Sequence, residues 1–385
     1  MIYHLFNWLE NLGYDIPGAG LMQYLSFRAM LAAVISLVIA LWAGKGIIGW
    51  LRKKQIGETI RDLGLEGQMQ KKGTPTMGGI IIMIAVVGSA LLVCRLDSIY
   101  TILLLVTTVW CGGIGFADDY IKVFKHNKEG MSEKGKLVLQ FGIGLFIALM
   151  MCFSTSIHTD QLVTTIPFVK AHEFDYSWLS PFKGQLGVYC SWGIYMVMII
   201  VVILACSNGA NLTDGMDGLS AGTSAIVGIV LGIIAWVGGD AIDAKYLNIM
   251  YLPGSGEVAV YMAAFAGALL GFLWYNTFPA MVFMGDTGSL MIGGVIGVTA
   301  VLIRKELLLP LLCGIFLAEA ASVMIQRSYF KYTKKKYGEG RRVFRMAPLH
   351  HHFQKMGVPE PRIVSRFWIV GIILAVSTLA LLKIR

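Results

Sequence analysis

Charged residues are scarce in this sequence of 385 residues: Asp, Glu, Lys and Arg make up only 14%, while hydrophobic residues make up 56%. A soluble domain usually carries about a quarter charged residues, so the composition argues against one. The six cysteines lie in or beside apolar segments without paired spacing, which excludes a disulfide framework and a cysteine zinc motif. We interpret the cysteines as packing residues of an integral membrane protein.

The N-terminal segment lacks the features of a removable signal peptide. His4, Glu10 and Asp15 precede the first strong apolar segment where a signal peptide carries basic residues, and no small-residue cleavage site follows. We therefore expect the first transmembrane helix to remain in the mature protein. Residues 1–20 mix apolar and polar side chains, which is typical of a segment lying at the membrane interface.

Long apolar segments recur along almost the whole chain and leave no room for a separate soluble domain. A bilayer core of about 30 Å requires about 20 mostly apolar residues in a helix. The sequence predicts ten such helices, near residues 24–42, 77–93, 98–116, 137–153, 188–206, 219–237, 258–275, 290–303, 307–325 and 367–382. The expected fold class is an all-α integral membrane protein: one polytopic domain over residues 1–385, built as a bundle of about ten transmembrane helices.

Lys and Arg are concentrated in three of the loops between these helices. Residues 45–75, 118–136 and 331–366 contain 7, 5 and 10 of the 32 Lys and Arg residues. Short loops rich in Lys and Arg stay on the cytoplasmic side of a membrane. We therefore expect these loops to be cytoplasmic. This distribution also explains the net charge of +9 without nucleic acid as a partner.

Aspartates occur among these basic residues, at the predicted cytoplasmic ends of the helices. They are Asp118, Asp119, Asp214, Asp217 and Asp286. Asp118 and Asp119 fall at the C-terminal end of the third predicted helix, where the helix dipole disfavours negative charge. Adjacent carboxylates tolerate each other when a divalent cation lies between them, and oxygen-only ligands favour Mg²⁺. We expect Mg²⁺ here, with Asp286 completing the site across the bundle; surface ion pairs to nearby lysines, each worth at most about 1 kcal/mol, are the alternative.

Two further polar clusters are predicted on the same side of the membrane. The first is the stretch 211–218, which we interpret as a loop, and the second comprises Asn276 and residues 283–289. Glycines in the first cluster permit close approach of the backbone to a ligand. The same residue types also suit ordinary turns and helix caps, so the spacing leaves both interpretations open. Glycines at 78–79 and 111–115 lie within apolar segments, and we expect them to serve helix packing.

The loop at residues 331–366 contains three consecutive histidines, His350, His351 and His352. Consecutive side chains diverge in direction, so they cannot easily converge on one zinc ion. Hydrogen bonds to phosphate or nucleobase groups suit them better. Lys and Arg residues near these clusters would supply the positive charge that a polyanionic ligand requires.

Five ordered motifs carry a resemblance to a known family. They are residues 71–79 (KKGTPTMGG), 115–120 (GFADDY), 211–218 (NLTDGMDG), 283–288 (FMGDTG) and 346–352 (MAPLHHH). Over essentially its whole length the chain resembles the MraY family of phospho-N-acetylmuramoyl-pentapeptide transferases, within the polyprenyl-phosphate N-acetylhexosamine-1-phosphate transferases. The histidine motif and the stretch GTPTMGG resemble the muramoyl-pentapeptide branch specifically.

The resemblance implies an enzyme of the bacterial inner membrane whose active-site loops face the cytoplasm. It implies UDP-N-acetylmuramoyl-pentapeptide as donor, undecaprenyl phosphate as acceptor, UMP and lipid I as products and Mg²⁺ as cofactor. Membrane lipids would surround the protein, and a homodimer is known in the family. A transferase for UDP-N-acetylglucosamine is the nearest rival, and an ion or metabolite transporter is the rival from another class, since acids near a membrane often line permeation paths.

The resemblance also assigns roles to residues of this sequence. Asp118, Asp119 and Asp286 would be the catalytic acids and the metal ligands. The substrate-binding residues would be Lys71, Lys122, Lys134, Asn211, Asp214, Gly215, Asp217, Asn276, Phe283, Gln326, His350, His351 and His352. We expect Lys122 and Lys134 to face phosphate and Phe283 to stack on uracil.

Direct displacement by the lipid phosphate is the mechanism we expect, because its second pKa near 6 leaves the attacking oxygen largely deprotonated at neutral pH. Proton removal by Asp118, or a phosphoenzyme formed on an aspartate, are the alternatives.

Overall fold

The computed structural model describes residues 1–13, 18–54, 73–125, 127, 129–154, 162–166 and 173–382. The helices are α1 (Ile2–Asn11), α2 (Leu25–Lys53), α3 (Gly79–Val93), α4 (Ile99–Phe124), α5 (Glu133–Phe153), α6 (Gly184–Thr213), α7 (Leu219–Gly239), α8 (Ala241–Leu247), α9 (Gly256–Asn276), α10 (Gly285–Leu302), α11 (Leu309–Leu312), α12 (Gly314–Tyr337), α13 (Leu349–Gln354) and α14 (Glu360–Leu381). Two short strands, β1 (Val163–Thr165) and β2 (Glu173–Asp175), pair antiparallel between α5 and α6.

Eight helices among the described residues are long and apolar enough to cross a membrane: α2, α4, α5, α6, α7, α9, α10 and α14. The segment Glu306–Leu312 and α12 form a further apolar pair, bent by 77° at the break between them. Helix α3 is apolar but only 15 residues long. All ten predicted segments thus fall on helices, and the expected all-α, multi-pass membrane fold is confirmed.

Several helices continue beyond their predicted ends. Helix α6 runs to Thr213 and α12 runs to Tyr337, so residues 211–213 and 331–337 are helical where the sequence analysis placed loops. Hydropathy marks only the apolar part of a helix, and polar residues can continue its hydrogen bonding beyond the bilayer. Helix α4 likewise runs to Phe124. Asp118 and Asp119 therefore lie before the last turn of α4. The helix dipole acts mainly within the last turn, so it disfavours their negative charge less than the sequence predicted.

Helices α9 and α10 form the centre of the bundle. In their most apolar stretches 83% and 89% of the residues are buried, against 22% to 28% in α2, α6 and α14. Helix α10 packs against α3, α4 and α6, and α9 packs against α2, α3 and α7. The outer helices turn apolar side chains outward, as contact with lipid requires, while α10 places its N-terminus deep among its neighbours.

Glycines allow α10 to approach its neighbours closely. A Cβ atom on Gly115 of α4 would overlap the backbone of Asp286, and one on Gly79 of α3 would overlap the backbone of Gly288. These contacts confirm the packing role for Gly79 and Gly115, whereas a Cβ atom on Gly113 would meet no atom within 4 Å. They also bring the acidic residues of α4 within reach of the first turn of α10.

Helix α1 has its own contact with the bundle. The imidazole of His4 accepts a hydrogen bond from the Leu96 backbone N–H at 3.0 Å, and the Trp8 side chain is exposed. The location of α1 at a membrane interface stays a prediction.

Candidate active site

Three carboxylates from two helices converge at one end of the bundle. Asp118 and Asp119 come from α4 and Asp286 from the first turn of α10, and one oxygen of each lies within 4.8 Å of the others. The expectation that Asp286 meets the aspartate pair across the bundle is confirmed. Every donor atom in this group is a carboxylate oxygen, so the cluster could bind a hard metal ion.

Two lysines lie between Asp118 and Asp286. The Lys122 ammonium nitrogen is 2.6 Å from Asp118 Oδ2 and 3.1 Å from Asp286 Oδ2. The Lys136 nitrogen is 2.8 Å and 2.7 Å from the same two oxygens. These contacts spread two positive charges over two buried or largely buried carboxylates. An anionic phosphate placed here would meet both ammonium groups.

Lys136 is a site residue that the sequence analysis missed, since it named Lys134. Lys134 is exposed, and among the described residues only Lys122 and Lys136 lie within 4.0 Å of these carboxylates. The signal was present in the periodicity of α5. Lys136 is four positions before Gln140, a buried residue of this helix, so both lie on the same face. Lys134 is two positions away from Lys136, and a shift of two positions turns a side chain by about 200° around the helix.

Asp119 has a different environment from Asp118. It is buried, and it accepts hydrogen bonds from the backbone N–H groups of Asp286 and Thr287 at 3.1 and 2.9 Å and from the Thr287 hydroxyl at 2.6 Å. Asp119 thus caps the N-terminus of α10 from a neighbouring helix. A carboxylate accepts about four hydrogen bonds, so little of its capacity remains for a metal ion.

The remaining oxygen of Asp118 is also engaged. Its Oδ1 accepts a hydrogen bond from the Met131 backbone N–H at 2.7 Å. This contact holds the backbone at Met131, just before α5, against the cluster. It leaves Oδ2, the atom between the two lysines, as the oxygen of Asp118 that can serve a ligand.

Asn211 joins the cluster from the last turn of α6. Its amide nitrogen donates to Asp286 Oδ1 and to the hydroxyl of Ser289, both at 2.9 Å. Asp286 therefore has one oxygen oriented by an amide and the other between two ammonium groups. Helix α6 supplies this residue only because it continues beyond its apolar part to Thr213.

Asp217 and Asn276 hold two loops together. Asp217 accepts a hydrogen bond from the Ala280 backbone N–H at 3.0 Å and donates its own N–H to Glu360 at 2.8 Å. The Asn276 side chain accepts from Gly218 N–H and donates to the Val282 carbonyl. Both side chains are buried. Asp214 is half-buried, as are Asn211 and Leu212, and Gly215 is the exposed residue of the 211–218 motif.

The GTPTMGG stretch pairs with the segment that carries Phe283. Phe283 donates its N–H to the Pro75 carbonyl and accepts from the Gly78 N–H, both at 2.8 Å. This pairing fixes the backbone of Phe283 and leaves its ring half-buried. Lys71 lies outside the described residues.

The three histidines lie on the short helix α13 and have different partners. His350 is fully buried, and its Nδ1 lies 3.2 Å from a carboxylate oxygen of Glu319 on α12. His351 contacts Gln354, and His352 accepts a hydrogen bond from the Arg345 backbone N–H. Their rings thus serve three separate contacts.

Gln326 is engaged with the segment before α13. Its side-chain oxygen accepts hydrogen bonds from the N–H groups of Val343 and Phe344 at 3.1 and 2.9 Å. The predicted roles of Gln326 and the histidines toward a nucleotide stay predictions.

Comparison with known proteins identifies the family of the chain. A sequence model described as glycosyl transferase family 4 matches residues 101–304. Proteins named phospho-N-acetylmuramoyl-pentapeptide-transferase from Parabacteroides distasonis, Flavobacterium psychrophilum and Porphyromonas gingivalis are 54%, 51% and 48% identical to the chain, each over 100% of both sequences. The chain belongs to the phospho-N-acetylmuramoyl-pentapeptide-transferase family.

Proposed function

We propose that this protein transfers phospho-N-acetylmuramoyl-pentapeptide from its UDP donor to undecaprenyl phosphate, giving lipid I and UMP. The observation that carries the proposal is the cluster in which Lys122 and Lys136 lie between Asp118 and Asp286. It occurs in a chain about half identical, over its full length, to proteins named for this transfer. Lipid I formation is the first membrane step of peptidoglycan synthesis.

The chemical difficulty of this reaction is charge repulsion. An oxygen of the lipid phosphate must form a bond to the β-phosphorus of the donor, while the bond from that phosphorus to the UMP oxygen breaks. Both reactants are anions, and the attacking oxygen needs little help from a base. The ammonium groups of Lys122 and Lys136 would bind the phosphates and offset their repulsion. Asn211 would keep Asp286 oriented throughout.

The donor set of the cluster fits Mg²⁺, the cofactor we propose. Asp118 and Asp286 would hold the ion, since the Oδ2 atoms of both face the same space and carry no capping hydrogen bond to the backbone. Asp119 would keep α10 in place and act on the ion indirectly. When bound, Mg²⁺ supplies positive charge to the donor diphosphate. Lys122 and Lys136, which contact the same two carboxylates, would bind phosphate beside the ion.

Recognition of the donor would fall to the accessible residues around the cluster. We propose that Phe283 stacks on the uracil, with Asp214, Gly215 and His351 close to the nucleoside. Asp217, Asn276 and Gln326 would contribute by holding the loops that carry these groups, in addition to any direct contact. Lys71, which the family resemblance assigns to the same site, would add a further positive charge.

The position of the cluster supports a proposal for the orientation of the protein. Asp118 and Asp119 lie on α4 within the basic segment 118–136, and Lys122 and Lys136 of the same segment contact Asp286 of α10. Because basic loops remain on the cytoplasmic side, we propose a bacterial inner-membrane protein whose active site faces the cytoplasm, where a soluble nucleotide donor is made.

The decisive experiment is release of UMP by the purified protein in detergent. UDP-N-acetylmuramoyl-pentapeptide would be supplied with or without undecaprenyl phosphate and with Mg²⁺ or a chelator, and Asp286→Asn would serve as the inactive control. Release that requires lipid, metal and Asp286 supports the proposal. Turnover only with UDP-N-acetylglucosamine would assign the protein to the rival transferase. If neither donor gave UMP release, both transferase assignments would be contradicted.

The order of the chemical steps can be tested with the donor alone. Direct displacement predicts no UMP release and no phosphorylated aspartate when undecaprenyl phosphate is absent. Recovery of a phosphorylated peptide containing Asp118 or Asp286 after donor treatment would instead establish a phosphoenzyme.

A further inference from the structure

Glu319 is a buried carboxylate on α12 that plays no direct part in the proposed reaction. Its side chain accepts hydrogen bonds from the backbone N–H groups of Leu349 at 2.6 Å and His350 at 3.2 Å. These are the first two residues of α13. The same carboxylate lies 3.2 Å from His350 Nδ1. Glu319 therefore caps the histidine helix from a neighbouring helix.

Burial makes this contact consequential. Glu319 and His350 are both fully buried, and an ionised carboxylate removed from water is costly unless hydrogen bonds compensate it. Its compensation comes from the first turn of α13, so displacing α13 would leave the charge uncompensated. The position of α13 and the hydrogen bonding of the buried Glu319 carboxylate thus depend on each other. Six residues form only a marginal helix by themselves, which makes α13 dependent on this external cap.

His350 also contacts the 211–218 motif. A Cβ atom on Gly215 would overlap Nε2 of His350, so the imidazole packs directly against the backbone of this glycine. Gly215 is exposed on its other side. A continuous set of contacts therefore runs from α12 through α13 to the loop that carries Asp214.

We propose that Glu319 is a positioning residue, which sets the separation between α13 and the Gly215 loop and thereby the shape of the nucleotide-binding part of the site. The inference rests on the proposed function, because it takes the UDP moiety of the donor as the group bound there. It predicts that loss of the cap weakens donor binding and leaves lipid binding unchanged.

The kinetic test uses two isosteric variants in the full-length protein. In Glu319→Gln the amide oxygen can still accept one N–H group, but the charge and the second acceptor are lost. Glu257→Gln is the matched control, because Glu257 is also buried, pairs with Arg28 at 2.8 and 2.6 Å and lies at the far end of α9. We expect Glu319→Gln to raise the KM for the UDP donor about tenfold or more, with the KM for undecaprenyl phosphate unchanged.

Thermal unfolding separates positioning from a general loss of stability. Both variants should lower Tm by similar amounts, while only Glu319→Gln raises the donor KM. A donor KM within about twofold of the wild type, an equal rise in the lipid KM, or the same kinetic change in Glu257→Gln would each overturn the proposal.

A second measurement does not depend on turnover. Buried His350 should resist carbethoxylation by diethyl pyrocarbonate, whereas the half-buried His351 and His352 should react. In Glu319→Gln we expect the modification rate of His350, followed by peptide mass spectrometry, to rise about tenfold, because local opening exposes it. An unchanged rate would show that Glu319 does not hold α13, even if the wild type proved to catalyse another reaction. Failure of UMP release would instead contradict the proposed function alone.

Discussion

Replacing Lys136 by Met removes one of the two ammonium groups between Asp118 and Asp286, and the size of the loss follows from the contacts of this side chain. Met keeps a long apolar side chain in α5 but carries no charge. An ammonium group and a phosphate charge about 4 Å apart attract each other by about 4 kcal/mol at an effective dielectric constant near 20. The Lys136 side chain is 22% exposed, and Lys122 remains in contact with both carboxylates, so part of that energy is retained.

We therefore expect Lys136→Met to lose about 3 kcal/mol of transition-state stabilisation, which lowers kcat/KM about a hundredfold. The measurement is steady-state UMP release with both substrates varied. Lys125→Met is the control, because Lys125 is exposed at the end of α4. Lys134→Met tests the residue named by the sequence analysis.

The comparison of the two α5 lysines shows which ammonium group binds phosphate. If Lys134→Met lost more activity than Lys136→Met, the arrangement of ammonium groups described above would not be the one that binds phosphate. A Lys136→Met enzyme within about threefold of the wild type would show that the charge of Lys136 contributes little to stabilising the transition state, and would refute the reasoning from charge.

Three further predictions follow from the same contacts. Asp119→Asn should lower thermal stability as well as activity, because an amide cannot accept every hydrogen bond at the start of α10, and we expect the free energy of unfolding to fall by about 2 kcal/mol. Asp286→Asn should abolish activity with a much smaller change in Tm. Equal Tm values for the two variants would contradict the capping role of Asp119. Gly215→Ala should raise the donor KM about tenfold by pushing His350 away, and an unchanged KM would show that the loop yields freely. Chelation of divalent metal should abolish UMP release. Activity should be restored by Mg²⁺ and not by Zn²⁺, since the ligand set contains only oxygen atoms. Full activity in the presence of chelator would exclude a metal requirement.

Much of the architecture could be predicted because hydropathy depends on local sequence. Nine of the ten predicted segments fall on single helices, and the segment 307–325 falls on the bent pair of Glu306–Leu312 and α12. An apolar stretch that spans a bilayer must satisfy its backbone hydrogen bonds internally, which a helix does. Helix ends were predicted less well. Polar residues continue α6 to Thr213 and α12 to Tyr337, and hydropathy carries no signal for such extensions.

The convergence of Asp118, Asp119 and Asp286 could also be predicted, because the loops rich in Lys and Arg led us to expect all three on one side of the membrane. The different roles of the three aspartates could not be predicted. Whether an aspartate holds a ligand or caps a helix depends on which backbone lies opposite it. That was decided by the contact between Gly115 of α4 and the first turn of α10.

The sequence by itself therefore determined the membrane fold, the family and the expectation that the three aspartates meet at one end of the bundle, because composition, periodicity and motifs act over short stretches of chain. Only the tertiary structure decided that Lys136 contacts the carboxylates, that Asp119 caps α10 and that Glu319 holds α13. Each of these depends on the distance and rotation between helices far apart in sequence, and close packing sets both.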